Sequence, residues 1–166
     1  MDLTYPLADP TSLRLAMRKW VSGVTVVTSV HAGVRHGMTV SSFTSISLIP
    51  PMILISLERT TRTRDLVLNS GFFAVTILDA SQFELSERFA GKVGDENDRF
   101  SGLTTETLIS GAPLINGGIA YFDCRVVAIQ EAGTSTVFFA EVMAARNAEG
   151  GDPLVYSDRS YFTLQK

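Results

Sequence analysis

Runs of β-branched and aromatic residues separated by short turns fill most of this chain and leave little room for helix. They are VTVVTSV (24–30), VRHGMTV (34–40), MILISL (52–57), FFAVTIL (72–78), IAYFDCRVVAIQ (119–130), STVFFAEVMAA (135–145) and LVYSDRSYFTL (154–164). Such residues suit a pleated, half-buried surface. His31-Ala32-Gly33 and Glu131-Ala132-Gly133-Thr134 read as hairpin turns, and AEGGDP (148–153) as a further turn. Three short helices fit between the strands. The first has Asp9 as N-cap, Pro10 at its first position and Leu13, Met17, Trp20 and Val21 at helical spacing, with Gly23 to close it. RTRDLVLNSG (62–71) and SQFELSERFAG (81–91) are the others, each ending on glycine, and the polar KVGDENDRFSG (92–102) reads as a loop. The fold class is mainly β: an antiparallel barrel, closed or split, with a few helices outside it.

At 166 residues the chain suits one domain, with 1–10 as an N-terminal extension and 11–166 as the barrel domain. Several function classes fall away. A net charge of −3 without a Lys/Arg run predicts no nucleic-acid partner. The N-terminus shows no basic region followed by an apolar one, so a cytoplasmic location is expected, and no segment reads as a membrane span. Cys124, the single cysteine, lies in a strand-like run, and His31 and His36 are the only histidines. These give no metal cluster and no nucleophile–base constellation, so no catalytic side chain is assigned and no metal is expected. A glycine-rich turn between strand and helix is also missing, which excludes a Rossmann site.

Residues 36–57, HGMTVSSFTSISLIPPMILISL, contain seven hydroxyl side chains and no Asp, Glu, Lys or Arg. Small hydroxyls and concave backbone amides can receive an anion without a full positive charge. Taken alone, the stretch is equally a strand, a loop and a second strand of a β core.

The order of six pieces extends that reading. RKWVSGVTVVTS (18–29), residues 36–57, FFAVTILDASQFELSERFAGK (72–92), DRF (98–100), GAPLINGGIAYFDCRV (111–126) and LVYSDRSYF (154–162) together resemble the short-chain flavin reductases. These are the small reductase components of two-component flavin monooxygenases. The resemblance runs from about Leu13 to Leu164. It implies a split antiparallel Greek-key β-barrel, FMN or FAD as flavin, NADH or NADPH as electron donor, a homodimer, and a flavin-dependent monooxygenase that receives the reduced flavin.

It also implies cofactor-binding residues. Met38, Thr39, Val40, Ser41 and Ser42 would meet the ring, the ribityl chain and the phosphate. Ser56, Leu57, Thr60 and Thr63 would form a second wall, with Arg62 or Arg64 neutralising phosphate. Phe89, Ala90, Gly91 and Lys92 would close over the nucleotide, and Tyr156, Arg159 and Tyr161 would contact the dinucleotide. Relatives commonly carry a histidine after the glycine of the late hairpin, where this chain has Ser135. Serine keeps a hydrogen bond but loses the ring, which leaves open an electron carrier with little nicotinamide oxidation of its own. A separate alternative is a barrel that kept the fold, lost the cofactor and acts as an interaction module, against which the intact hydroxyl loop argues.

Overall fold

The computed structural model describes residues 6–92 and 98–164. The loop expected over 92–102 and the N-terminal reading therefore fall partly outside the described residues. Among those described, helix α1 (Pro10–Met17) precedes strands β1 (Ser22–Gly23), β2 (Thr25–His31), β3 (Val34–Val40), β4 (Phe43–Leu48) and β5 (Pro51–Glu58). Helix α2 (Arg62–Ser70), β6 (Phe72–Ile77) and helix α3 (Phe83–Phe89) follow. The chain closes with β7 (Thr105–Glu106), β8 (Leu114–Ile115), β9 (Ala120–Ala132), β10 (Ser135–Asn147), β11 (Val155–Ser157) and β12 (Ser160–Phe162).

Seven strands form one antiparallel sheet in the order β3-β2-β6-β9-β10-β5-β4. Its outer strands β3 and β4 are consecutive in the chain, joined only by Ser41 and Ser42. Two residues cannot cross a flat sheet of this width, so the sheet must curl until its edges nearly meet. The corner is fastened by Ser42, whose hydroxyl donates to the Ser56 carbonyl at 2.6 Å and whose carbonyl accepts from Ser56 N–H at 3.2 Å. Val27, Val40, Ile55, Leu57, Phe73, Val75, Cys124 and Phe138 then meet in one buried cluster, although they come from six different strands. That cluster is the barrel interior. Solvent is excluded from the other face of β2 as well, where Val26, with Val24 just ahead of the strand, packs with Leu78, Phe89, Phe100 and Leu154. Burial on both faces is why β2 shows no apolar–polar alternation, its Thr25, Thr28 and Ser29 being buried along with Val26 and Val27.

The two hairpin turns fall where expected, on Ala32-Gly33 (φ 48° and 78°) and on Gly133-Thr134. Gly71 ends α2 in the left-handed conformation at φ 74°. Two elements differ from the sequence reading. Helix α1 stops at Met17, short of Trp20, Val21 and Gly23, because it buries none of its side chains. Ser22 and Gly23 are drawn instead into a short ladder with Tyr156 and Val155. The hydroxyl-rich FTSISL forms β4, an edge strand whose polar residues face water.

Candidate functional site

Among the described residues strand β3 pairs only with β2, so its other edge carries backbone groups with no neighbouring strand. A trough of about 990 Å³ runs along that free edge from Gly33 to Thr39. One wall is the turn after β5 and the start of α2, with Glu58, Thr60, Thr61, Arg62 and Thr63. The other wall comes from Phe89 and Ala90 and from Asp98, Arg99 and Phe100.

The α2 wall leaves polar groups available. Thr61 holds the N-cap position, yet its hydroxyl donates to the Glu58 carbonyl at 2.8 Å and no side chain caps the helix. The first-turn amides therefore face the trough with the positive end of the helix dipole. Arg62 lies beside them, exposed and with no hydrogen bond or ion pair to another described residue. Arg64 is spent elsewhere, on Glu131 at 3.0 Å, Asp65 at 3.1 Å and the Thr136 hydroxyl at 3.0 Å. Of the two arginines expected near a phosphate, only Arg62 is on offer. Buried Thr63 holds the His36 ring against the helix, with Oγ1 2.8 Å from Nδ1.

The opposite wall is fitted closely to β3. A Cβ on Gly37 would lie 3.0 Å from both Phe89 Cε1 and Thr28 Cγ2, so a side chain here would push Phe89 away from the strand. Arg99 donates to the carbonyls of Gly37 (3.1 Å) and Phe89 (2.9 Å), tying the strand to the end of α3. Arg35 pairs with Asp98 at 2.9 Å and lies over the Phe100 ring, 4.6 Å from its centroid.

Behind this wall a chain of polar groups satisfies itself. The Thr39 hydroxyl donates to the Ser86 carbonyl at 2.6 Å. The Tyr161 hydroxyl donates to Glu87 at 2.5 Å, so Ser86 Oγ, 2.9 Å away, must donate to the phenol oxygen. Lys92 meets the same carboxylate at 2.8 Å. Burial, then the Glu87 contact, pushes the Tyr161 hydroxyl up to about 12. The Lys92 hydrogen bond, then that of Tyr161, holds Glu87 below the usual carboxylate range.

The trough thus gathers Met38, Thr39, Thr60, Arg62, Thr63, Phe89 and Ala90 from the sequence reading. Val40 and Leu57 lie in the barrel core, and Ser41, Ser42 and Ser56 form the corner beyond β3. Gly91 approaches Arg99 behind the wall, and Lys92 is engaged with Glu87. Ser135 is paired directly opposite Glu58, at the rim. Tyr156 packs on Tyr161 at 5.2 Å, while Arg159 occupies the exposed turn between β11 and β12 at φ 64°. Arg35, Glu58, Thr61, Arg99 and Phe100 were not singled out by sequence. Only the DRF piece carried a signal, without a role attached.

The fold has counterparts in known proteins. The flavin reductase like domain matches residues 17–165. The chain belongs to the flavin reductase-like family. Among its relatives, the reductase subunit HsaB of a Mycobacterium tuberculosis flavin-dependent monooxygenase is 34% identical, over 81% of this chain and 70% of its own length. The FMN reductase (NADH) RutF 2 of Methylorubrum extorquens is 34% identical over 94% and 90%. A solved structure, the Streptomyces globisporus NADH:FAD oxidoreductase SgcE6, superposes with a TM-score of 0.89 at 31% identity, covering 98% of this flavin reductase-like chain and 99% of that one. The chain spans 51% of the length of one further curated relative.

Proposed function

We propose that the protein is an NAD(P)H:flavin oxidoreductase that reduces FMN or FAD and releases the reduced flavin to a partner monooxygenase. The observation that carries this reading is the uncapped start of α2, with unpartnered Arg62 beside it, facing the same trough as Met38 and Phe89. A flavin nucleotide has an apolar ring at one end and a phosphate further along, and the trough offers matching surfaces in that order. Met38, Phe89 and Ala90 would receive the ring, while the free edge of β3 offers backbone groups to its polar rim. The α2 amides, Thr60 and Arg62 would hold the phosphate.

The flavin supplies the hydride acceptor, at N5, for the hydride from C4 of the reduced nicotinamide. What remains for the chain is to bind both rings in contact and to keep water away, and no side-chain acid or base is needed. Binding through amides, hydroxyls and Arg62, unpaired among the described residues, suits a flavin that must leave. Residues 11–166 act as one domain in this reading. Exposed Ile46, Leu48 and Ile49 on and after edge strand β4 support a homodimer through that face. Among the described residues no helix is long and apolar enough to cross a membrane, and we place the reaction in the cytoplasm with its partner oxygenase. Ser135, where relatives commonly carry histidine, favours a second reading as a flavin-binding electron carrier.

The test follows loss of NADH or NADPH absorbance by the purified protein with FMN or FAD added. Turnover that saturates in flavin is expected. Flavin binding without nicotinamide oxidation would overturn the reductase and leave the carrier.

A further inference from the structure

The trough is longer than an FMN phosphate anchored at Arg62 would use. His36 is held against α2 by Thr63, next to Arg62, so the phosphate position lies level with His36 along β3. The ring end lies toward Met38 and Thr39. In the opposite direction the trough continues to Gly33, about 10 Å further at a strand rise of ~3.3 Å per residue. In FMN nothing follows the phosphate. In FAD a second phosphate and an adenosine follow it.

That end is built around Arg35. Its guanidinium is fixed on one face by the Phe100 ring at 4.6 Å and along its edge by the Asp98 carboxylate at 2.9 Å. The side chain is still 41% exposed. A guanidinium anchored over an aromatic ring and still partly exposed can stack a purine. Phe100 is itself fixed from behind, edge-on to Phe89 at 5.2 Å, and its backbone N–H donates to Asp98 at 3.0 Å. The platform is thus held in place by the same residues that make the ring end of the trough.

We propose that Arg35, clamped by Asp98 and Phe100, forms an adenosine subsite that makes this protein select FAD over FMN. The inference rests on the flavin reading of the trough. The subsite recognises the adenine nucleotide half of a dinucleotide, which the nicotinamide donor also carries, so the test includes both sources.

The experiment is a fluorescence titration of FAD and FMN with wild-type protein, Arg35→Ala and Arg35→Lys, together with the KM for NADH. Wild type is expected to bind FAD more tightly than FMN. Arg35→Ala should weaken FAD about tenfold more than FMN, the size of a desolvated stacking or cation–π contact. Arg35→Lys keeps the charge beside Asp98 but not the plane, and should fall between the two. That intermediate separates loss of the platform from collapse of the 98–100 wall, which would weaken both flavins alike. An unchanged FAD/FMN ratio in both variants overturns the subsite. A rise in the NADH KM with that ratio unchanged assigns the adenosine end to the donor and overturns the flavin selection. If wild type binds neither flavin, the reading of the trough itself fails, a result distinct from both.

Discussion

The two sides of the trough use their polar groups in opposite ways. On the α2 wall the helix start is uncapped, Thr61 turns its hydroxyl back to Glu58, and Arg62 has no partner among the described residues. Behind the α3 wall Thr39, Ser86, Tyr161, Glu87 and Lys92 bond to one another in an unbroken chain. Polar groups already paired gain little by exchanging partners, whereas unpaired ones near a cavity gain a charge-assisted bond from a ligand. The α2 wall is therefore the side suited to an anion, and the bonded chain behind the α3 wall is a prop that keeps Phe89 and Ala90 in place.

The largest expected effect tests the prop. Gly37→Val places a branched side chain where even a Cβ would be 3.0 Å from Phe89 and Thr28, neither of which is free to move far. Overpacking of this kind costs about 1–3 kcal/mol. It should lower the melting temperature and abolish flavin binding together, because Phe89 can no longer lie on β3. A Gly37→Val protein with unchanged melting and unchanged flavin affinity would show that the two walls are not locked through this contact.

The next effect is confined to the ligand. Arg62→Ala removes a group that contacts no other described side chain, so the melting temperature should stay where it is. The flavin dissociation constant should rise about tenfold or more, the loss of one charge-assisted hydrogen bond of ~1.5–3 kcal/mol. Arg64→Ala gives the contrast. It breaks the contacts to Glu131 and Thr136 that tie α2 to the late hairpin and should act mainly on stability. If the two variants exchange phenotypes, the wrong arginine has been assigned.

Much of the fold was legible because its signals are local. Ala32-Gly33 and Gly133-Thr134 each close a hairpin in two residues, and Gly71 ends α2 with the one conformation a side chain resists. Helix α1 was overextended because Trp20 and Val21 continue its spacing, although no partner surface waits for them. The site was only half legible. Arg62 and Arg64 are the same residue type two positions apart, and what separates them is Glu131, 67 residues beyond Arg64. Arg35 acquires its meaning from Asp98, 63 residues away, and Tyr161 from Glu87, 74 residues away. Spacing along the chain cannot report which of two identical side chains is already taken.

The smallest effect should come from the far end of the α3 wall, and it carries a pH signature. Folding raises the Tyr161 hydroxyl from its ordinary value of 10.0 to about 12, so the folded state retains the phenol proton longer than the unfolded one. The stability this provides is fully present below pH 10 and is lost as the pH rises through about 12. Glu87 has the opposite sign, since its depressed value provides stability above the usual carboxylate range that is lost as the pH falls through the lowered one. Tyr161→Phe should therefore flatten the fall in stability between pH 10 and 12 relative to wild type. Flavin affinity and the KM for NADH at neutral pH should stay within about twofold, as befits a half-buried contact of ~1 kcal/mol or less that lies behind the trough. The opposite pattern, an unchanged alkaline limb with a tenfold rise in the NADH KM, would make Tyr161 a ligand contact. The polar chain behind the α3 wall would then be a binding surface in its own right, and the contrast between satisfied and unsatisfied groups would no longer separate support from recognition in this molecule.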